Sequence, residues 1–397
     1  MCLVTGLALA LPAPTQAQQK KQITLRDMLV RPTYGGYRLS PDGQMVLFTR
    51  TDRETKEWAA TAHIWLHDLG SNQSFQLTNS PRGETNARFL PDGRVAFTSN
   101  RGDKNAWYVI SPKGGEAVRL VESDSVATSG AFSADGRRLV YTQETERDDK
   151  KEWEDRVKKK DDGYYAEKKL TWTHVWTYDL QSKARKQLTT GMTDNQGPAI
   201  SPDAKWVAFS SNRTGRGIRD ANWSNNSDLY IVSADGGEPR ALTTNVGPDN
   251  APVFSPDGQW IAYASSDLRN SSADQYDLKV VSVQGGTSRN LTSSLDYSIS
   301  NIEWSNDGSS IYFGAAEGLT TKLYKVATAG GTPAEVSLGK DFVFSDFTAS
   351  TDGSKWLVTG GTLESPGIVY LAGSDGAQPR RILAEHDALD EFDVARA

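Results

Sequence analysis

A tetrapeptide of the type Ser-Pro-Asp-Gly recurs seven times in the 397 residues, and it restricts the fold more than any other feature. Successive copies are 50, 43, 68, 54, 50 and 45 residues apart, and they begin at Ser40, Leu90, Ser133, Ser201, Ser255, Ser305 and Ser350. Periods of this size are typical of propellers and solenoids, in which one supersecondary unit is repeated. The sequence therefore predicts seven similar units.

Each copy has the same surroundings, which predict two β-hairpins per unit. An apolar run such as Val46–Phe48 follows the tetrapeptide, so its Pro and Asp-Gly indicate the tight turn of a hairpin. A second hairpin, often closed by a glycine-rich turn, lies between a strand opener and an apolar anchor 14 residues later. The opener and anchor pairs are His63 and Leu77, Ala106 and Leu120, His174 and Leu188, Asp228 and Leu242, Asp277 and Leu291, Lys322 and Val336, and Ile368 and Ile382.

These markers predict an all-β chain, a seven-bladed β-propeller of four-stranded antiparallel blades over residues 33–384. Each unit runs complete from its first strand to its fourth, so we expect closure without a shared blade and a seam made mainly by side chains. We also expect this seam to be the weakest joint, because it lacks ladder hydrogen bonds. Residues 144–169 carry 19 charges in 26 residues and are interpreted as a solvated hairpin extension or an arm toward a partner.

The amino-terminal end predicts export. Residues 3–13 are apolar and uncharged, and Thr15 and Ala17 supply small residues at a cleavage site, so residues 1–17 are predicted to be a signal peptide with a truncated start. Residues 18–32 are expected to form a linker and a short helix. Cleavage would remove Cys2, the only cysteine, which suits an oxidising compartment. The predicted location is periplasmic or secreted in a bacterium.

Composition excludes several classes of function. A net charge of -6 and a pI near 5.4 give no general attraction to nucleic acid or an anionic membrane, and no apolar run is long enough for a spanning helix. One cysteine and four scattered histidines (His63, His67, His174 and His386) predict no metal site and no cofactor. The turn aspartates are interpreted as acceptors inside their own turns, since one carboxylate per blade is too few for calcium.

A search for catalytic residues predicts none in this chain. The nucleophile motif Gly-x-Ser-x-Gly is missing, and the nearest string, Gly314–Gly318, has alanine at the serine position. His63 and His174 share the strand-opening position and are interpreted as structural. His67 and His386 have no serine or cysteine partner that the sequence identifies.

The repeated turn, the Asp228-Leu-Tyr type of third strand and the Leu-Thr pair at 242–243 resemble the propeller of prolyl oligopeptidase family serine peptidases. The acylaminoacyl-peptidase and dipeptidyl-peptidase branches are the most similar, and residues 24–31 resemble the short helix before their first blade. TolB, a periplasmic translocation protein, carries similar repeats.

The resemblance implies a propeller that gates or selects peptide substrates for an α/β-hydrolase domain encoded by the same gene or a split one. The catalytic Ser, Asp and His of that domain map onto no residue here, so residues 385–397 are predicted to be a linker toward it. Glu152 and Glu154, beside Trp153, are only faintly similar to the glutamate pair of the dipeptidyl branch and are not assigned. The alternatives are a stand-alone TolB-like protein-interaction propeller and, third, a metal-dependent lyase, which would need clustered histidines.

Overall fold

A computed structural model describes residues 21–53, 59–102, 104–123, 126–146, 150–159, 171–213, 226–267, 275–339, 341–362, 365 and 367–386. The predicted signal peptide, residues 160–169 of the insertion and the predicted linker beyond His386 lie outside them. The described residues form seven four-stranded antiparallel sheets, each built from four consecutive strands. The prediction of a seven-bladed propeller closed without a shared blade is therefore confirmed. In the part of the chain described, no helix has the length and apolar character to cross a bilayer.

Two short α-helices accompany the sheets, α1 (Leu25–Val30) before the first blade and α2 (Lys150–Lys158) in the charged insertion. Blades 1 to 4 comprise β1 (Thr33–Leu39), β2 (Met45–Arg53), β3 (Ala60–Asp68), β4 (Gln73–Gln76); β5 (Thr85–Phe89), β6 (Val95–Ser99), β7 (Asn105–Ile110), β8 (Val118–Ser123); β9 (Val126–Phe132), β10 (Arg138–Glu146), β11 (Thr171–Asp179), β12 (Arg185–Gln187); β13 (Asn195–Ile200), β14 (Trp206–Ser211), β15 (Asp228–Ser233), β16 (Arg240–Ala241). Blades 5 to 7 comprise β17 (Asp249–Phe254), β18 (Trp260–Ser265), β19 (Asp277–Ser282), β20 (Arg289–Asn290); β21 (Ile299–Trp304), β22 (Ser310–Glu317), β23 (Thr320–Ala327), β24 (Ala334–Glu335); β25 (Val343–Ala349), β26 (Lys355–Gly361), β27 (Ile368–Gly373), β28 (Arg380–Ile382).

The Ser-Pro-Asp-Gly turns join the first and second strands, and each serine-containing turn closes on its own side chains. In blade 1 the Ser40 hydroxyl donates to Asp42 Oδ1 at 2.6 Å, and the Gln44 N–H donates to the same oxygen at 3.0 Å. The Met45 N–H in turn donates to Ser40 Oγ at 2.8 Å. The serine hydrogen bond is the largest cause that holds the pKa of Asp42 below its ordinary value. The turn aspartates therefore accept hydrogen bonds inside their own turns, as the sequence predicts.

The constant offset of 14 residues between opener and anchor is the register of the third and fourth strands. The Leu77 N–H donates to the Ile64 carbonyl oxygen at 2.8 Å, and the Ile64 N–H donates to Thr78 Oγ1 at 3.0 Å. Blades 3, 4 and 5 repeat both bonds with their own Leu-Thr pairs. The threonine hydroxyl thus satisfies a strand N–H that lacks a backbone acceptor.

The hydrophobic core is divided into seven clusters, each shared by two neighbouring blades. Leu47 and Ile64 of blade 1 pack with Phe97 of blade 2, and the last cluster joins Phe48 of blade 1 to Leu357 of blade 7. The second strands are buried on both faces because each lies between two neighbouring sheets. No described blade completes its core alone.

The seam between blades 1 and 7 is closed mainly by side chains, as expected. Arg38 bonds Asp346 at 2.6 Å and Lys355 Nζ donates to the Gly43 carbonyl oxygen at 2.8 Å, with one backbone bond from the Thr351 N–H to the Pro41 carbonyl oxygen. The expectation that missing ladder hydrogen bonds make this seam the weakest joint is wrong. The seven sheets of the described chain are all separate, so none of their junctions has a ladder.

His386 extends the seam beyond the last strand. Its ring stacks on Tyr34 with centroids 3.9 Å apart, and its Nδ1 lies 3.0 Å from the Tyr37 hydroxyl. The side chain is also in contact with Phe48 of β2. Contacts of the last blade therefore continue to His386, which lies within the predicted linker 385–397.

We predict that the fourth turn is strained where the other turns have glycine. Ala204 has φ 58° and the equivalent Gly258 has φ 69°, a left-handed conformation that costs an L-residue roughly 1–2 kcal/mol. Ala204→Gly should raise the free energy of unfolding by about 1 kcal/mol, and Gly258→Ala should lower it by about 1 kcal/mol. A Cβ at 258 would make only an ordinary 3.5 Å contact with Pro202, so backbone strain dominates. Urea unfolding of both variants measures this, and shifts of the same sign would contradict it.

Candidate functional site

A buried polar cluster lies between blades 1 and 2, at the ends of their strands. The Glu84 carboxylate is fully buried and accepts bonds from Arg101 Nη2 at 2.6 Å and from the Thr78 hydroxyl at 2.6 Å. His63 Nδ1 lies 3.1 Å from Glu84 Oε2, the oxygen that also accepts the Thr78 bond. Arg101 also stacks over Tyr108, 5.0 Å from its ring centroid. The charges of Glu84 and Arg101 are paired and the cluster joins blades 1 and 2, which agrees with the interpretation of His63 as structural.

The junction of blades 3 and 4 has the same arrangement with a neutral acceptor. Asn195 takes the place of Glu84, and Arg213 Nη2 donates to its Oδ1 at 3.3 Å. Arg213 lies over Tyr230 at 4.2 Å, as Arg101 lies over Tyr108. His174, the opener of this junction, is buried, and burial lowers its pKa. Its Nδ1 lies 3.3 Å from the Thr189 hydroxyl, so its interpretation as structural stays a prediction.

The junction of blades 4 and 5 has acids at two equivalent positions and no arginine at the position of Arg101. Asp249 occupies the position of Glu84, six residues after the threonine of its Leu-Thr pair, and Asp228 is the strand opener. The residue four positions after the aromatic of the second strand is Arg101 in blade 2 but Asp267 in blade 5. Lys279 stands where Tyr108 stands, and its Nζ bonds Asp267 at 2.7 Å. The arginine-on-tyrosine pair is thus replaced by an acid and a lysine.

The two buried acids of this junction are poorly satisfied. One oxygen of Asp228 and both oxygens of Asp249 are buried without a hydrogen bond of standard geometry to any described residue. Burial raises the pKa of Asp228 to about 7, and the negative charge of Asp249 adds to this effect. Burial also raises the pKa of Asp249, although Ser265 and Thr243 act in the opposite direction. The carboxyls of Asp228 and Asp249 therefore bind protons more tightly than ordinary carboxyls do.

A cavity of about 690 Å³ adjoins this acidic pair. Ser227 and Asn250, the chain neighbours of Asp228 and Asp249, line it together with the rings of Trp172 and Tyr276. The Ser227 hydroxyl donates to Asn250 Oδ1 at 3.0 Å, which ties the two blades together at the cavity wall. Polar groups flanked by aromatic rings can bind a peptide backbone and its side chains.

The first strand of each blade is innermost: the first strands of blades 7, 1 and 2 contact one another in turn, as do those of blades 3 to 6, around the central channel. Four charged side chains on them belong to adjacent blades: Glu303 of blade 6, Asp346 of blade 7, Arg38 of blade 1 and Arg88 of blade 2. Glu303 is accessible to channel solvent yet enclosed by protein, which raises its pKa to about 7, and Asp346 adds to this. A second cavity of about 430 Å³ is lined by Arg38 and Arg88.

Sequence reasoning missed the residues that this channel brings together. Arg38, Arg88 and Glu303 each lie two residues before the first residue of their turn, so their shared position could be read from the repeat once the first strand is known to be innermost. Glu152 and Glu154 lie on α2, and of these two side chains only that of Glu154 is described. Their faint resemblance to a glutamate pair therefore stays a prediction. Among the described side chains, no group of three or more potential metal ligands comes together.

Comparisons with known proteins agree with the family resemblance. A family model described as the N-terminal region of dipeptidyl peptidase IV matches residues 147–272. Dipeptidyl-peptidase 5 of Porphyromonas gingivalis is 24% identical over 384 residues, which are 88% of this chain and 54% of that protein. The chain therefore spans about half the length of this curated relative.

Solved structures show the same fold at low identity. The acylaminoacyl peptidase of Pyrococcus horikoshii is 15% identical with a TM-score of 0.65, over 88% of this chain and 52% of that chain. The β-propeller domain of the Trilobed protease from Pyrococcus furiosus is 15% identical with a TM-score of 0.63, over 92% of this chain and 98% of that domain. That domain is reported to have an open velcro topology. The resemblance inferred from the repeats is confirmed.

We predict that Asp228 makes stability depend on pH. An acid with a higher pKa in the folded state binds more protons there, so stability falls as pH rises from about 4 to about 7 and then levels off. The melting temperature of Asp228→Asn relative to the unmodified chain should therefore rise across this range. Asp42→Asn, which removes a carboxyl of lowered pKa, should show the reverse trend at the acid end. The prediction would be contradicted if the melting temperatures of Asp228→Asn and of the unmodified chain changed in parallel with pH.

We predict that an arginine and a tyrosine at positions 267 and 279 stabilise the junction of blades 4 and 5 only when both are introduced together. The double variant Asp267→Arg with Lys279→Tyr recreates the arrangement of Arg213 and Tyr230 and should raise the free energy of unfolding by about 1–2 kcal/mol, because Asp249 gains a charged donor. Asp267→Arg alone should not stabilise, since Lys279 would face a like charge. Chemical unfolding of the double and both single variants gives the coupling. Additive effects would contradict the proposed equivalence.

Proposed function

We propose that this chain, a propeller domain of the dipeptidyl peptidase IV and prolyl oligopeptidase-like peptidase family, gates or selects peptide substrates for an α/β-hydrolase domain outside these 397 residues. The observation that carries the proposal is the channel lined by first strands that bear charged side chains, inside a ring whose seam is closed. A single extended peptide fits such a passage better than a folded protein does.

The physical basis of selection is width and polarity. The seven junctions are packed with buried apolar side chains, so the ring cannot widen at one joint without exposing a core cluster to water. The polar cavity beside Trp172 and Tyr276 offers amide and hydroxyl groups to an unfolded backbone, whose own hydrogen-bonding groups are free. A folded protein satisfies those groups internally and gains nothing there.

We also propose that the protein acts after export. The apolar stretch at 3–13 and the small residues Thr15 and Ala17 support this, as does a mature chain without cysteine. The peptides available to it would then be those of an extracytoplasmic compartment.

The proposal is tested by expressing the 397 residues alone and the same chain extended through the coding sequence that follows it. The chain alone should not react with a serine-directed fluorophosphonate, and the extended protein should be labelled and should cleave short peptides but not folded lysozyme. Removal of residues 33–384 from the extended protein should abolish that size selection. The mass of the mature protein from its native host also shows whether residues 1–17 are removed.

Two outcomes would overturn the proposal. One is labelling of a serine within the 397 residues. The other is an immediate stop codon together with stoichiometric binding of a folded protein partner, which would identify a stand-alone interaction propeller.

A further inference from the structure

Arg88, on the first strand of blade 2, is a largely enclosed cation. Its Nη1 donates to the carbonyl oxygen of Gly130 on blade 3, and its guanidinium lies over the buried ring of Trp107, 5.4 Å from the centroid. Among the described residues no carboxylate forms an ion pair with it. Burial lowers its pKa to about 10, and the positive charge of Arg38 adds to that effect. A buried charge of this kind is costly unless an anion accompanies it.

Arg38, the other arginine of the channel cavity, is already neutralised. Its Nη1 bonds Asp346 at 2.6 Å and also donates to the Tyr37 carbonyl oxygen at 2.8 Å. In the ring order of the blades, Arg38 stands between the acids Glu303 and Asp346 on one side and Arg88 on the other. Neither of these acids forms an ion pair with Arg88.

The geometry around Arg88 is suited to a carboxylate. Gly130 and Trp107 hold the guanidinium at the wall of the cavity of about 430 Å³, which Asn86 and Thr49 also line. The guanidinium has five N–H donors, of which the Gly130 bond uses one, and its planar fork matches the two oxygens of a carboxylate. A fixed guanidinium loses little entropy when it binds.

The equivalent positions of blades 3, 4 and 5 hold small apolar side chains, which pack against the junction cores. Ala131, Ala199 and Val253 of blades 3, 4 and 5 also lie two residues before the first residue of their turns. The channel is therefore charged on the side of blades 6, 7, 1 and 2 and neutral on the other. A peptide with one anionic group would be oriented by this asymmetry.

We propose that Arg88 binds the carboxylate of a peptide inside the channel, supplied by the peptide's carboxyl terminus or by an Asp or Glu side chain. The inference rests on the proposed function, because it takes peptides as the molecules that enter the channel. It adds a substrate class: peptides with a carboxylate are retained at Arg88 in preference to neutral ones.

The test is calorimetric titration of the 397-residue chain with three peptides. These are acetyl-tetraalanine with a free carboxyl terminus, the same peptide amidated, and an amidated peptide with one internal glutamate. The free acid should bind about tenfold or more tightly than the amide, which corresponds to one charged hydrogen-bonded pair. The peptide with the internal glutamate should also bind more tightly than the amidated peptide without it, if a side-chain carboxylate reaches Arg88.

Arg88→Gln should remove this preference, and Arg88→Lys should keep only part of it because a lysine lacks the planar fork. Arg94→Gln is the matched control, since Arg94 lies in the turn of the same blade and is paired with Asp92. Circular dichroism establishes that each variant is folded, and the comparison of acid with amide needs no variant.

Equal binding of acid and amide by the unmodified chain would overturn the inference, as would an unchanged preference in folded Arg88→Gln. Neither result depends on the hydrolase domain. Loss of the carboxylate site would leave size selection of peptides intact, so the two proposals fail separately.

Discussion

The structure depends on the burial of both faces of every blade. A four-stranded sheet that is apolar on two faces needs a neighbour on each side, and the seven core clusters of the described chain are each shared by two blades. The ring supplies the missing neighbour of the first and last blades by bringing Phe48 against Leu357. The seam is therefore a junction like the others, reinforced by Arg38 with Asp346 and by His386. It differs from the other junctions in joining blades that are far apart along the chain.

Local hydrogen bonds set the shape of each blade before the blades meet. The serine and aspartate of each turn satisfy strand-end N–H groups, and the Leu-Thr pair does the same at the fourth strand. Because these bonds join residues within a few positions or within one hairpin, they repeat wherever the residues repeat. Ala204 shows that the backbone conformation is imposed even where the residue does not favour it, as its φ of 58° matches that of the glycines.

The positions where repeats diverge carry the unusual chemistry. Glu84 is paired with Arg101, whereas the equivalent Asp249 has Asp267 at the position of that arginine and a raised pKa. On the first strands, the equivalent positions bear Arg38, Arg88 and Glu303 in some blades and alanine or valine in others. A propeller can accept such changes because each junction core is formed by many other side chains. The channel and the strand ends are thus free to specialise.

The sequence by itself determined the number of blades, their four-strand composition, the turn chemistry and the absence of a shared blade. These features follow from local periodicity, since the pleat, the turn and the hairpin register involve residues close in the chain. It also indicated that His63 and His174 are structural, because both occupy the strand-opening position. It did not show that Arg38 meets Asp346, that His386 stacks on Tyr34, or that Asp228 lies against Asp249. Those pairs are brought together only by ring closure and blade packing, which join groups up to 349 residues apart. Enclosure by the neighbouring blades raises the pKa of Asp228 and Glu303 and lowers the pKa of Arg88. This enclosure exists only in the closed ring, because a side chain in an isolated hairpin remains in water.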